Sequence, residues 1–243
     1  MRDIAGCHAF IETHRAQHIP ATFFPLWDYS QLEHDYIAEF RELAANIVKP
    51  LEIGLHDSPV DAYLIQTRFG GDRGACSAWL NRGAVEWIAC LAGDEGRLAE
   101  FNSAVLTSFV TRVRRTQELF GPISTVACHG GDLLHALRDR LDRLDPGVAQ
   151  VARSLFARSW LTPERVTAAG IEASVDGFGG SGAKWRQVSD GGGTICRMMQ
   201  RIQNCLDRKL ALQILLHPFT WDGAKRDGEL SHLLRGGSEM IIG

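Results

Sequence analysis

Residues 52–56, with the sequence Glu52-Ile-Gly-Leu-His56, form a short apolar run that ends in a histidine. Two later segments have the same form, Ser124-Thr-Val-Ala-Cys-His129 and Leu212-Gln-Ile-Leu-Leu-His217. Short apolar runs bounded by turn residues are typical of buried strands in a parallel sheet. Because ligands of α/β proteins gather at the C-terminal ends of such strands, the three histidines predict one site assembled from separate strand ends.

Amphipathic helical patterns alternate with these strand-like runs along the chain. The predicted helices cover residues 3–18, 32–48, 75–92, 98–120, 133–144 and 194–207, with a further start at Thr162-Pro163. The predicted strands cover residues 21–24, 51–55, 125–128, 171–175 and 210–216. Residues 69–74 and the glycine-rich residues 177–193 are predicted as loops. This alternation favours parallel βα units, so we expect an α/β fold in a single domain spanning residues 1–243.

Composition excludes several classes of protein. The 243 residues carry a formal net charge of −3 and are 45% hydrophobic, which gives no electrostatic case for a nucleic-acid partner. No apolar run is long enough to predict a membrane span. The N-terminal residues lack a basic segment followed by an apolar one, so we expect a cytoplasmic protein. The six cysteines contain no Cys-x-x-Cys pair, which disfavours a zinc finger or a redox motif.

The predicted helix over residues 98–120 carries a basic cluster of Arg112, Arg114 and Arg115. We expect these arginines to form a solvated face, opposite an apolar stripe that includes Val105 and Phe109. The sequence contains no Gly-x-Ser-x-Gly motif, which disfavours a serine hydrolase of the α/β class. It also lacks a complete phosphate-binding loop, which disfavours a nucleotide-dependent enzyme.

The three strand-end histidines suggest a metal site. His56, His129 and His217 would supply imidazole ligands, and Asp57 and Asp190 are the carboxylates nearest to them by sequence. Neutral imidazoles and a carboxylate suit a divalent transition metal with an open position for water, and zinc is the expected ion. A histidine at a strand end is also often a structural hydrogen-bonding residue, and that alternative stays open.

At these residues the chain resembles the polysaccharide deacetylase (NodB-homology) superfamily, in particular its divergent branch among bacterial polysaccharide genes. The order and spacing of five segments carry the resemblance: His18-Ile-Pro-Ala-Thr-Phe-Phe24, Glu52-Ile-Gly-Leu-His56, Val126-Ala-Cys-His129-Gly, Ser189-Asp-Gly-Gly-Gly193 and Leu215-Leu-His217-Pro. The match covers nearly the whole length. The resemblance implies a distorted (β/α) barrel and hydrolysis of acetyl groups on sugars by a metal-bound water.

The resemblance also implies roles for individual residues. His56 would bind the metal and His217 would act as the general acid. Val60 stands where the family usually has a second metal-binding histidine, so His129 or Asp57 would complete the ligand set. Asp190, in the segment that resembles the family's Ser-Asp loop, is a further candidate catalytic carboxylate.

Two further expectations follow, one from the positions where this sequence differs from the family's motifs and one from its tryptophans. The paired aspartates of the family's first motif are absent, and the chain is expected to lack the first strand of the barrel. The alternative function is therefore a catalytically inactive relative that binds a glycan or a protein partner in polysaccharide biosynthesis. In either case we expect a carbohydrate ligand, with Trp27, Trp185 and Trp221 as candidates to stack on sugar rings. The sequence gives no indication of the oligomeric state.

Overall fold

The computed structural model describes residues 12, 15–16, 21–24, 45, 51–128, 131–175, 185–189, 200, 204, 207–208 and 211–215. The chain divides into two compact units. The first comprises Met1–Thr22, Glu42–Glu52 and Asp176–Gly243, and the second comprises Phe23–Arg41 and Ile53–Val175. The single domain expected over residues 1–243 stays a prediction.

The described strands are short and belong to three small sheets. They are β1 (Ala21–Phe23), β2 (Leu51–Ile53), β3 (Leu55–Asp57), β4 (Thr125–Cys128), β5 (Ala173–Val175), β6 (Trp185–Ser189) and β7 (Ala211–Leu215). Strands β1 and β2 form one sheet, β3, β4 and β5 form a second in that order, and β6 and β7 form a third. The pairs within the second and third sheets are all parallel.

Helices account for most of the described residues. They are α1 (Pro59–Phe69), α2 (Arg73–Ala92), α3 (Glu95–Phe120), α4 (Asp132–Leu137), α5 (Pro146–Leu155), α6 (Ala157–Trp160) and α7 (Pro163–Ala168), with a 3₁₀ turn at Leu141–Arg143. Helices joined to parallel strands place the fold in the α/β class, as the alternation along the sequence predicts. None of these helices is both long and apolar enough to cross a membrane.

Local sequence signals fix where the helices begin and end. The side chain of Asp72 accepts a hydrogen bond from the Ala75 amide at the start of α2, and Asp94 accepts one from the Arg97 amide at the start of α3. Helix α1 begins at a proline, whose missing N–H costs nothing at that position. It ends at Gly70, which adopts a left-handed φ of 56°.

The core of the second unit lies where the helices pack on β3 and β4. Its largest fully buried side chains are Trp160, Phe109, Leu55, Leu80, Ile88, Leu133, Leu137, Leu155, Val60, Val105 and Val113. The apolar stripe predicted along residues 98–120 is confirmed, because Val105 and Phe109 in α3 are both 0% exposed. Full burial of an apolar side chain of this size stabilises the folded protein by about 1.5–3 kcal/mol relative to leaving the side chain in water. This burial holds the helices against the sheet.

Gly54 separates β2 from β3 and allows a close approach of neighbouring side chains. A β-carbon at this position would overlap the ring of Phe24 and would lie 2.9 Å from Oγ1 of Thr125. The single strand predicted over residues 51–55 is therefore two shorter strands, interrupted at the residue that has no side chain to pack.

Two predictions of secondary structure are wrong, and helix α1 was not predicted. The helix α1 lies in a region that showed no periodic pattern, and the helix predicted over residues 133–144 ends at Leu137. The segment predicted as a long loop over residues 177–193 contains strand β6, which pairs in parallel with β7. By contrast, α2, α3, β4 and β7 lie within two or three residues of their predicted bounds.

Candidate functional site

The C-terminal ends of β3 and β4 lie side by side. In their parallel register His56 is opposite Ala127 and Asp57 is opposite Cys128. His56 is half-buried, and Asp57 is 1% exposed. His129 directly follows Cys128 in the chain but lies outside the described residues. The parallel arrangement thus brings two of the three predicted strand ends to one edge of the sheet.

Asp57 is engaged by an arginine from helix α3. The Nε and Nη2 atoms of Arg112 lie 3.1 and 3.0 Å from Oδ2 of Asp57, and the Asp57 side chain is 0% exposed. Nη1 of the same guanidinium donates to Oγ of Ser108 at 2.6 Å. The solvated position expected for Arg112 is therefore wrong, whereas Arg114 and Arg115 are exposed as expected.

A second buried carboxyl group, that of Asp61, lies in the first turn of α1. Its Oδ1 accepts a hydrogen bond of 2.9 Å from the backbone amide of Leu133, at the start of α4. Desolvation by burial raises the pKa of Asp61 to about 7, against a smaller lowering by the Leu133 N–H and a further raising by the nearby Asp132. Asp61 is thus a carboxyl group that changes protonation near neutral pH. No motif or spacing in the sequence predicted this residue.

Gly131 makes the approach of Asp61 to helix α4 possible. It occupies the N-cap position of α4 with a φ of 73°, and a β-carbon there would overlap Oδ2 of Asp61. N-cap residues usually satisfy the first amides of a helix with their own side chains. Here the cap residue has no side chain, and Asp61 from another helix supplies the acceptor.

An exposed ion pair and a buried thiol surround this carboxyl group. Nε and Nη2 of Arg73 donate to the two carboxylate oxygens of Asp132 at 3.0 and 3.2 Å. Cys76 is 0% exposed, and burial followed by the charges of Asp61 and Asp132 raises the pKa of its thiol to about 12. Because the thiolate is the reactive form, burial and the raised pKa both oppose a nucleophilic role for Cys76.

Most of the other predicted site residues lie outside the described residues. These are His129, His217, Asp190, Trp27 and Trp221. The backbone of Trp185 begins strand β6 and is opposite Ala211 in its register with β7. Their roles in metal binding, catalysis and carbohydrate stacking stay predictions.

The described residues do not by themselves fit a zinc ion. No group of three or more histidine, cysteine, aspartate or glutamate side chains with metal-binding geometry occurs among them. His56 lies at the strand edge, but the carboxylate of Asp57 is already paired with Arg112, which a metal would have to displace. Displacing Arg112 would leave its charge without a partner in a partly buried position, which destabilises the folded protein. The pair therefore favours a structural role for Asp57 over metal binding.

Comparisons of the chain with protein family models, with curated proteins and with solved structures find no match.

Proposed function

We propose that this chain is a polysaccharide-deacetylase-like hydrolase that acts on the amide or ester bonds of acetylated carbohydrates. Its site would lie at the C-terminal ends of β3 and β4. The proposal includes a distorted (β/α) barrel, to which these parallel strands would belong. It rests on the sequence motifs quoted above and on one structural observation.

That observation is the adjacency of β3 and β4. Two segments that the resemblance assigns to the site, 52–56 and 126–130, are more than 70 residues apart in the chain, yet their strands pair in parallel and end together. Ligands of parallel sheets bind beyond the C-terminal strand ends, where each strand contributes side chains from its last residues. The pairing supports a shared site that includes His56.

Release of acetate from acetylated oligosaccharides tests this function. Purified chain, with zinc, cobalt or nickel added in turn, is incubated with N-acetylglucosamine oligomers and with O-acetylated xylan. We expect slow acetate release that falls by about 100-fold or more in His56→Ala, the order of effect typical of a group that participates in catalysis. His135→Ala is the matched control, because His135 is exposed on α4. Activity that is absent, or equal in both variants, contradicts the proposal.

The Asp57–Arg112 pair favours a second candidate function, a catalytically inactive relative that binds a glycan or a partner protein. A carboxylate that accepts the Nε–H of a guanidinium at 3.1 Å and lies 3.0 Å from its Nη2 atom is occupied in a structural role. Calorimetric titration with the same oligosaccharides separates the two candidates. Binding that is unchanged by a chelator and is accompanied by no acetate release supports the inactive relative. Turnover supports the hydrolase.

A further inference from the structure

A groove of about 540 Å³ lies on the surface of the second unit, where the end of α1, one face of α2 and the start of α3 meet. It is lined by Arg68, Trp79, Arg82, Gly83, Glu86, Trp87, Cys90 and Arg97. Neither the strand-end site nor the proposed hydrolysis uses any of these residues. The combination of three arginines with two tryptophans points to a binding surface of its own.

Helix α2 builds the floor of the groove. Trp79, Gly83 and Trp87 are spaced four residues apart, so they lie on one face of the helix. The two indole rings are 5.6 Å apart between centroids, and a β-carbon at Gly83 would lie 3.4 Å from Nε1 of Trp79. The two rings are therefore in contact with each other and form one continuous aromatic surface along α2.

The arginines stand around this aromatic floor. The guanidinium carbon of Arg68 lies 4.0 Å from the centroid of the Trp79 ring, and Nε of Arg82 donates to the Ala78 carbonyl at 3.2 Å. A guanidinium stacked on an indole is held in one plane, with N–H groups at its edge available to a carboxylate or phosphate. Arg97 adds a third positive charge from the first turn of α3.

The charges of the groove are unbalanced. Glu86 is the single acidic residue in the lining, against three arginines. Within the described ranges 51–128 and 131–175, none of these three arginines forms an ion pair with a carboxylate. Exposed like charges in a small area repel one another, and an anionic ligand removes that repulsion. The surface is therefore complementary to an anion that also carries apolar groups.

We propose that this groove binds an acidic peptide segment of a partner protein, with aspartate or glutamate side chains on the arginines and an apolar or aromatic side chain over Trp79 and Trp87. A shallow surface built from three helices suits an extended or helical peptide better than a small molecule, which requires enclosure. Tryptophan and arginine are the residues that contribute most to protein interfaces.

Fluorescence anisotropy with a labelled synthetic peptide that alternates glutamate and phenylalanine tests the proposal. We expect binding that weakens roughly fivefold in each of Arg68→Gln and Arg97→Gln, since each removes one charge contact with the peptide. Arg115→Gln is the matched control, an exposed arginine of α3 outside the groove. We also expect bound peptide to slow the alkylation of Cys90, which lines the groove, as measured by mass spectrometry.

Three further probes define the contrary results. They are the same peptide with glutamine in place of glutamate, an oligothymidylate and a sulfated oligosaccharide. The proposal is overturned if the glutamate peptide does not bind, if the glutamine peptide binds equally well, or if the groove variants bind like Arg115→Gln. Tighter binding of the oligothymidylate or the sulfated saccharide would also overturn it, because the occupant would then be a different polyanion. Acetate release is unaffected by any of these outcomes, so this test and that of the proposed function fail independently.

Discussion

Asp61 occupies the space beside Gly131 that the side chain of any other residue would fill. The contact joins the first turn of α1 to the start of α4, and the Asp61 carboxyl accepts the amide of Leu133 at 2.9 Å. Gly131 and Asp61 therefore depend on each other. The glycine is required for steric reasons, and the carboxyl is required because it satisfies a buried amide.

Replacement of Gly131 by alanine is expected to destabilise the protein by about 3 kcal/mol, from a backbone conformation with φ 73° and ψ 151° that is essentially restricted to glycine and from a clash with Asp61. Gly170→Ala is the matched control. Gly170 has a φ of 75°, close to the 73° of Gly131, but a β-carbon there would have no neighbour within 4 Å. We expect Gly170→Ala to cost only about 1 kcal/mol. Urea unfolding measures both, and equal costs would show that Asp61 does not crowd Gly131.

The buried carboxyl of Asp61 predicts a characteristic pH dependence of stability. Its pKa is about 7 in the folded protein against an ordinary value of 3.8, so the folded state binds the proton more tightly. The stability contributed by this proton is fully present below about pH 4 and is lost as the pH rises through about 7. Asp61→Asn keeps a neutral hydrogen-bond acceptor and does not titrate.

We therefore expect Asp61→Asn to gain stability relative to the wild type by about 4 kcal/mol between about pH 4 and pH 8. Asp142→Asn is the control, because the side chain of Asp142 is 99% exposed. Chemical denaturation at a series of pH values gives the difference. A constant difference between Asp61→Asn and the wild type across this range would mean that Asp61 is ionised throughout.

The pair of Asp57 and Arg112 is expected to behave as a buried ion pair. Arg112→Met leaves the carboxylate of Asp57 without its guanidinium, which should cost about 3–5 kcal/mol of stability. The double variant Asp57→Asn with Arg112→Met removes the uncompensated charge and should recover part of that loss. Arg115→Met, on the exposed side of the same helix, should change stability by less than about 0.5 kcal/mol. Strictly additive single and double variants would contradict the coupling.

Two cysteines of α2 are expected to differ in reactivity. Cys76 is fully buried with a thiol pKa of about 12, and Cys90 is exposed. Iodoacetamide should modify Cys90 in the native protein within minutes and Cys76 only after unfolding, because alkylation requires an accessible thiolate. Mass spectrometry of proteolytic fragments identifies the labelled residue. Labelling of Cys76 at a rate similar to Cys90 would indicate that the α1–α2 interface opens readily.

Periodicity predicted the long elements and failed for the short ones. Helix α3 is 26 residues long, and its buried residues Val105, Phe109 and Val113 recur at four-residue steps, so burial on one face is visible in the sequence. Helix α1 was missed because its buried residues include the polar Asp61, which breaks the apolar pattern. The residues at its two ends are typical of helix termini, because Ser58 and Pro59 stand at the start of the helix and Gly70 follows its last residue.

The candidate site shows the limit of reasoning from local sequence. The histidine at the end of β3 was visible as a strand-end motif, and the pairing of β3 with β4 is consistent with it. The partners of Asp57 and Asp61 were not predictable, because Arg112 and Leu133 are 55 and 72 residues away in the chain. Such contacts arise from tertiary packing, which also determines the pKa of a buried carboxyl.

Both the hydrolase and the inactive relative require a carbohydrate to bind at the C-terminal ends of β3 and β4. The most direct measurement is the nuclear magnetic resonance spectrum of histidine side chains during titration with N-acetylglucosamine oligomers, with His56→Ala and His135→Ala used to assign the signals. We predict that the His56 ring signals shift with saccharide concentration while those of His135 do not. Unchanged His56 signals at saccharide concentrations of about 10 mM, well above the range of ordinary binding constants, would contradict it.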